Sequence, residues 1–122
     1  MSTINPVEQE LPSTSLGQKC WQVTWGPMAN GDVGAPVDLV EYTDRSVQVE
    51  GTFGTGGNAE IQGSNDLSNF RPLRDPSSTL LDLTAAGIHG ILEFTGQIRP
   101  KITAGDDTTS LTVTLVLRRT WK

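Results

Sequence analysis

From Ser110 to Arg118 the side chains fall into two alternating sets, Leu111, Val113, Leu115 and Leu117 in one and Thr112, Thr114, Val116 and Arg118 in the other. Successive residues of a strand point to opposite faces, and no helix gathers every second residue on one side. A chain with this pattern has to build a sheet that buries one face.

Shorter copies of the pattern recur upstream. Val47, Val49, Gly51 and Phe53 alternate with Gln48, Glu50 and Thr52, and Ala59, Ile61 and Gly63 alternate with Glu60 and Gln62. Between them lies Gly54-Thr55-Gly56-Gly57, rich in residues that accept positive φ, so the two runs are expected to form a central antiparallel hairpin. Gly63-Ser64-Asn65-Asp66 then turns the chain again. Residues 20–25 put Trp21, Val23 and Trp25 on a core face, Gly26-Pro27 is expected to stop that strand, and residues 30–36 read as a loop. Residues 37–42 read as a second strand. Pro72 confines residues 70–73 to a short or edge strand, and residues 80–84, 91–95 and 98–103 are further short strands, with a break at Ala85-Ala86-Gly87. Eight or nine short strands between turn clusters predict an all-β antiparallel sandwich or barrel. The 13 Gly and 7 Pro suit that reading, and no stretch offers the dozen helical residues that a parallel crossover needs.

At 122 residues the chain makes one domain. Residues 18–122 carry the strand signals. Residues 1–17 hold Pro6 and Pro12 and only scattered apolar side chains, among them Val7, Leu11 and Leu16, with neither period. They read as a flexible N-terminal arm, disordered alone or ordered by adding to another subunit's sheet edge.

The net charge of −5 leaves no electrostatic footprint for a phosphate backbone, so nucleic acid is not an expected partner. Residues 1–60 hold eight acids and two bases and residues 61–122 six acids and seven bases. Such halves either make complementary faces in an assembly or are mixed by packing. Cys20 is the only cysteine, which fits a reducing compartment or a virion assembled in one. The N-terminus lacks the basic and apolar regions of a signal peptide. No run approaches the roughly 18 apolar residues of a membrane span, and no membrane partner is expected.

Chemistry-bearing patterns are sparse. His89 is the sole histidine, without a second His or a Cys pair for zinc and without a nucleophile elbow beside it. Asp106-Asp107 falls in a turn, where acids serve the backbone, and an EF-hand spacing is absent. Gly51, Gly54, Gly56 and Gly57 lie between strand patterns rather than before a helix, so they are not a phosphate loop. No enzyme, cofactor or metal is expected. Trp121, beside Arg118, Arg119 and Lys122, is a candidate interface anchor, because Trp and Arg are enriched at binding hot spots.

The segments DRSVQVEGTFGTGGNAEIQGSNDLSNFRPLRDP, LTAAGIHGILEF and IRPKITAGDDTTSLTVTLVLRR, more than half of the chain, resemble head-decoration (cement) proteins of tailed bacteriophages. Two loops depart from that pattern. Leu67-Ser68-Asn69-Phe70 stands where the family has Gly, any residue, Asn, Trp, and Ser77 stands where it tends to have Gly. The resemblance implies a jelly-roll-like β-sandwich on the capsid exterior of a virion, made in the host cytoplasm, that reinforces the shell. The implied partners are the major capsid protein and a second copy of the chain, a dimer being favoured. Val7, Leu11, Leu16, Arg118, Arg119 and Trp121 are the expected assembly residues. GSND before an aromatic also resembles a motif of discoidin-type sandwich domains, which bind carbohydrate or lipid, although this chain is shorter and lacks their paired cysteines. The second expectation is therefore a tail component or a carbohydrate-binding, receptor-binding module.

Overall fold

The computed structural model describes residues 2–11, 20–38 and 41–119, and all the regular structure among them is strand. In chain order these are β1 (Thr3–Ile4), β2 (Val7–Leu11), β3 (Cys20–Met28), β4 (Val33–Gly34), β5 (Asp44–Thr52), β6 (Asn58–Ser64), β7 (Arg71–Pro72), β8 (Asp82–Leu83), β9 (Gly87–Gly90), β10 (Gln97–Ala104) and β11 (Ser110–Arg118). They form the two sheets of a sandwich. The first has the order β1-β4-β10-β6-β7, with β8 also on β6, and the second the order β2-β3-β11-β5-β9. The short match of β1 with β4 is parallel and the other strand pairings are antiparallel.

The alternation in β11 does what its pattern requires. Leu111, Val113, Leu115 and Leu117 are each at most 1% exposed and lie beside Val23 and Trp25 of β3 and Val47 and Val49 of β5. Ala59 and Ile61 of β6 and Ile98 and Ile102 of β10 close the core from the first sheet. Burial of each large aliphatic side chain contributes about 1.5–3 kcal/mol. Trp21 and Trp25 bury their rings without stranding a donor. Trp25 Nε1 donates to the Ala35 carbonyl at 2.9 Å, and half-buried Trp21 donates to the Tyr42 hydroxyl at 2.7 Å.

The expected central hairpin is not one. β5 belongs to the second sheet and β6 to the first, so Gly54-Thr55-Gly56-Gly57 arches from sheet to sheet. The link from β10 to β11 makes a second arch beside it. Thr55 N donates to Asp106 Oδ2 at 2.9 Å, and Thr109 Oγ1 donates to the Phe53 carbonyl at 2.8 Å. A Cβ on Gly57 would lie 1.8 Å from that same carbonyl oxygen, so no other residue fits there. Alternation looks the same on either side of a hairpin or an arch. The choice lies with β11 and β10, which pair along β5 and β6 respectively.

Residues 3–11 also differ from expectation. Instead of forming part of a free arm they edge both sheets of this domain: β1 pairs with β4, and β2 pairs with β3 over five residues. Ser2 N donates to Asp32 Oδ1 at 2.9 Å and anchors the start. No period shows in β2 because Val7, Glu8, Gln9 and Glu10 are all exposed, and a strand open on both sides has no apolar face to encode. Residues 12–17, including Leu16, lie outside the described residues.

Gly26-Pro27 bends β3 without ending it. These two residues oppose Thr112 alone, a bulge between the Trp25–Val113 and Met28–Leu111 pairs. A Cβ on Gly26 would sit 2.9 Å from Thr112 Oγ1. The expected strand at 37–42 is reduced, among the described residues, to one bridge between Val37 and Ile98. The strand expected at 91–95 lies earlier, as β9. Residues 91–95 instead cross the open edge of the sandwich, Ile91 N donating to the Arg45 carbonyl and Leu92 N to that of Arg74.

Candidate functional site

The outward-facing positions of the two sheets differ in chemistry. On the first sheet, Lys101 lies opposite Glu60, Glu60 opposite Asp82, and Arg99 opposite Gln62, to which its Nε donates at 2.9 Å. That face is charged. On the second sheet the registers align two rows across all five strands. One runs Val7, Thr24, Thr114, Gln48, Ile88 and the next Gln9, Gln22, Val116, Ser46, Gly90. Neither row contains a charge, on a chain whose net charge is −5. Val7 and Ile88, at the two edges, are 68% and 66% exposed. The third row, Leu11, Cys20, Arg118 and Asp44, ends the neutral patch with a hydrogen-bonded ion pair from Arg118 to Asp44.

At the end of the sandwich away from the arches, an open cleft of about 510 Å³ is lined by Asn65, Asp66, Asn69, Arg71, Arg74, Glu93, Phe94 and neighbouring backbone. Its rim is tightly tied. Asp66 accepts bonds from the Asn69 backbone and amide, the Ser68 backbone and the Ser64 hydroxyl at 2.8–2.9 Å. These donors, the Asn69 backbone foremost, hold its carboxyl well below the usual carboxylate range. The network fixes Leu67 in the left-handed region at φ 66°, with its side chain 60% exposed. Glu93 accepts from Arg74 N at 2.7 Å and lies 3.7 Å from the Arg74 guanidinium. Phe94 is 51% exposed, and its ring rests over the buried Arg45 guanidinium, 4.8 Å from the centroid. Burial lowers the Arg45 pKa. Nearby, Arg99 lies 3.9 Å from the centroid of Phe70.

No protein-family model matches the sequence, and no curated protein matches it. The architecture does have a solved counterpart. It is similar in fold to the SPBc2 prophage-derived protein YomS. The two align with a TM-score of 0.60 at 9% identity, over 80% of this chain and 92% of that one. At that identity the likeness is one of fold. The CBM32 of AlyQ in complex with 4,5-unsaturated mannuronic acid aligns with a TM-score of 0.37 at 9% identity, over 91% of this chain and 92% of that one. A score that low carries no argument.

Of the residues expected to serve assembly, the structure brings Val7, Leu11 and Arg118 onto the outer face of the second sheet. Arg119 follows β11 and is half-buried. Leu16 and Trp121 lie outside the described residues. Sequence reasoning missed Gln22, Thr24, Ser46, Gln48, Ile88 and Thr114 as members of one surface. The available signal was that the outward set of each long strand in this sheet is uncharged over two successive positions. His89 sits on β9 opposite Val47 and borders a hollow of about 290 Å³ with Asp75, Asp82 and Leu81. Among the described residues no three His, Cys, Asp or Glu side chains converge as a metal-binding group.

Proposed function

We propose that this protein is a structural component of a phage virion that docks on the outside of the capsid and stabilises the shell, with the major capsid protein as its partner. The observation that carries the reading is the pair of uncharged rows on the second sheet. A solvated sheet face on an acidic domain ordinarily carries charge, as the first sheet does, whereas the buried centre of an interface is depleted in charged residues. Five strands about 4.8 Å apart, carrying two rows spaced about 6.7 Å along each strand, give the uncharged patch roughly 300 Å² in projection. That is modest beside the roughly 800 Å² per partner of a standard interface. Modest contacts suffice on a lattice, where fixed spacing converts several of them into avidity, and dimerisation would add to this. The prophage origin of YomS supports a phage setting, and the resemblance to cement proteins supports the capsid as its place. A protein that binds only the assembled shell stabilises it by linkage.

Addition of the purified protein to undecorated shells tests this reading. The expected result is saturable binding and a raised shell-disruption temperature. Recovery of the protein on tails with none on heads would overturn the capsid assignment.

A further inference from the structure

The end cleft combines three features that a solvated loop does not need together. Its volume of about 510 Å³ lies within the roughly 300–1,000 Å³ of small-molecule clefts. Its wall includes a half-exposed aromatic ring that the protein holds still. Arg45, beneath the ring of Phe94, is itself fixed by donating from Nε to the Tyr42 carbonyl at 2.8 Å and from Nη1 to the Thr95 carbonyl at 3.4 Å. With one face on the guanidinium, the ring leaves its other side open as a flat apolar platform. Around it stand donors and acceptors: Asn65, whose Oδ1 is taken by Gly96 N at 3.0 Å and whose NH2 has no partner among the described residues, together with the carboxylate of Glu93 and the guanidinium of Arg71.

The charges of the cleft are unequally committed. Glu93 holds Arg74, and Asp66 is filled by four donors. Arg71 donates only to its neighbour's carbonyl, that of Phe70, at 3.3 Å, and pairs with no acid among the described residues. One guanidinium is thus left for an incoming carboxylate, the partner that its forked donors match.

We propose that this cleft is a saccharide site that takes a pyranose bearing one carboxylate, a uronic acid residue of a polysaccharide. The C–H face of the ring lies on Phe94, the carboxylate meets Arg71, and hydroxyls that both donate and accept meet Asn65 and Glu93. A purely anionic ligand would have no use for the platform, and a neutral sugar would leave Arg71 without a partner. The site is at one end of the sandwich, apart from the uncharged sheet face, so a shell-bound copy keeps it available.

Titration of the isolated protein, followed by amide chemical shifts and calorimetry, tests the assignment with trigalacturonate and trimannuronate as probes and with maltotriose and triglutamate as comparators. The expected result is saturable binding of at least one uronate trimer at millimolar concentration or below, with shifts centred on residues 65–74 and 93–95. Phe94→Leu keeps an apolar group over Arg45 but removes the ring face, and weakens binding by roughly tenfold, the scale of one aromatic contact. Arg71→Gln removes the preference for uronate over maltotriose. Lys101→Gln, on the outer face of the first sheet, leaves binding unchanged. The proposal is overturned if neither uronate binds, if maltotriose or triglutamate binds the native protein as well as the uronates do, or if Phe94→Leu, folded, binds like the native protein. Because no shell is present, these outcomes are independent of capsid docking.

Discussion

The Thr109 hydroxyl donates to the Phe53 carbonyl oxygen at 2.8 Å, tying the arch that leaves β5 to the arch that enters β11 across 56 residues of chain. The Thr109 hydroxyl oxygen in turn accepts from Asp106 N at 2.9 Å, and Thr109 is only 4% exposed. Thr109→Val keeps the shape and strands both partners. An unsatisfied buried polar group costs about 1–3 kcal/mol, which is several degrees of melting temperature for a domain of this size. Chemical denaturation of Thr109→Val beside the native protein measures this. An unchanged midpoint would show that the arches hold without the bond.

Acid should loosen the turns at both ends of the sandwich. The Thr108 hydroxyl, with the backbone of Thr55 and Thr108, lowers the Asp106 carboxyl to about 2, and Asp66 is held below its ordinary value by its own four donors. An unfolded Asp titrates near 3.9. Because the folded values are depressed, the stabilisation is fully present above about pH 4 and is lost as the pH falls through the folded value near 2. The melting temperature is expected to hold level above about pH 5 and to fall between about pH 4 and pH 2. In Asp106→Asn that fall should be shallower, which thermal melts across the range would reveal.

Removal of residues 1–11 should destabilise the domain itself. The deletion strips the five-residue pairing of β2 from β3 and the bonds from Val33 N to the Ser2 carbonyl and from Ala35 N to the Ile4 carbonyl. It also bares a strand edge in each sheet, which invites association. A lower melting temperature and concentration-dependent sedimentation are expected. A truncated protein that melts like the full chain would mean that these edge strands add nothing.

Thr114 lies at the middle of the uncharged rows, between Thr24 and Gln48. Thr114→Lys should fold within about 0.5 kcal/mol of the native protein, as outward substitutions usually do. It should nonetheless lose shell binding, because a charge at the centre of a covered face has to be desolvated without a partner. Co-sedimentation with undecorated shells is the measurement, and normal decoration by the variant would exclude this face as the docking surface.

The faces of β3, β5, β6 and β11 were legible from the chain alone. A half-buried strand writes its two environments into alternate residues, so Val23, Val47, Ile61 and Leu115 could be placed inward before any partner was known. The turns were equally local: Ser64 to Asp66 and Asp106 bend the chain through their own side chains. The end cleft was not legible, although its rim is the Gly63-Ser64-Asn65-Asp66 turn. Its opposite wall, Glu93 and Phe94, comes from a segment whose pattern suggested a strand but which crosses between the sheets.

Sequence by itself determined that β3, β5, β6, β10 and β11 are strands, which side of the alternating ones is buried, and where the chain turns after β6 and before β11. Tertiary structure alone decided the pairing. Gly54 to Gly57 permits a hairpin and an arch alike, and only the match of β5 with β11, about sixty residues later, sends β6 to the other sheet. The edge strands β1 and β2 and the uncharged face have the same cause. Their members, from Val7 to Val116, become neighbours through hydrogen bonds between distant backbone segments, and backbone donors and acceptors are alike at every residue, so side-chain pattern cannot name the partner.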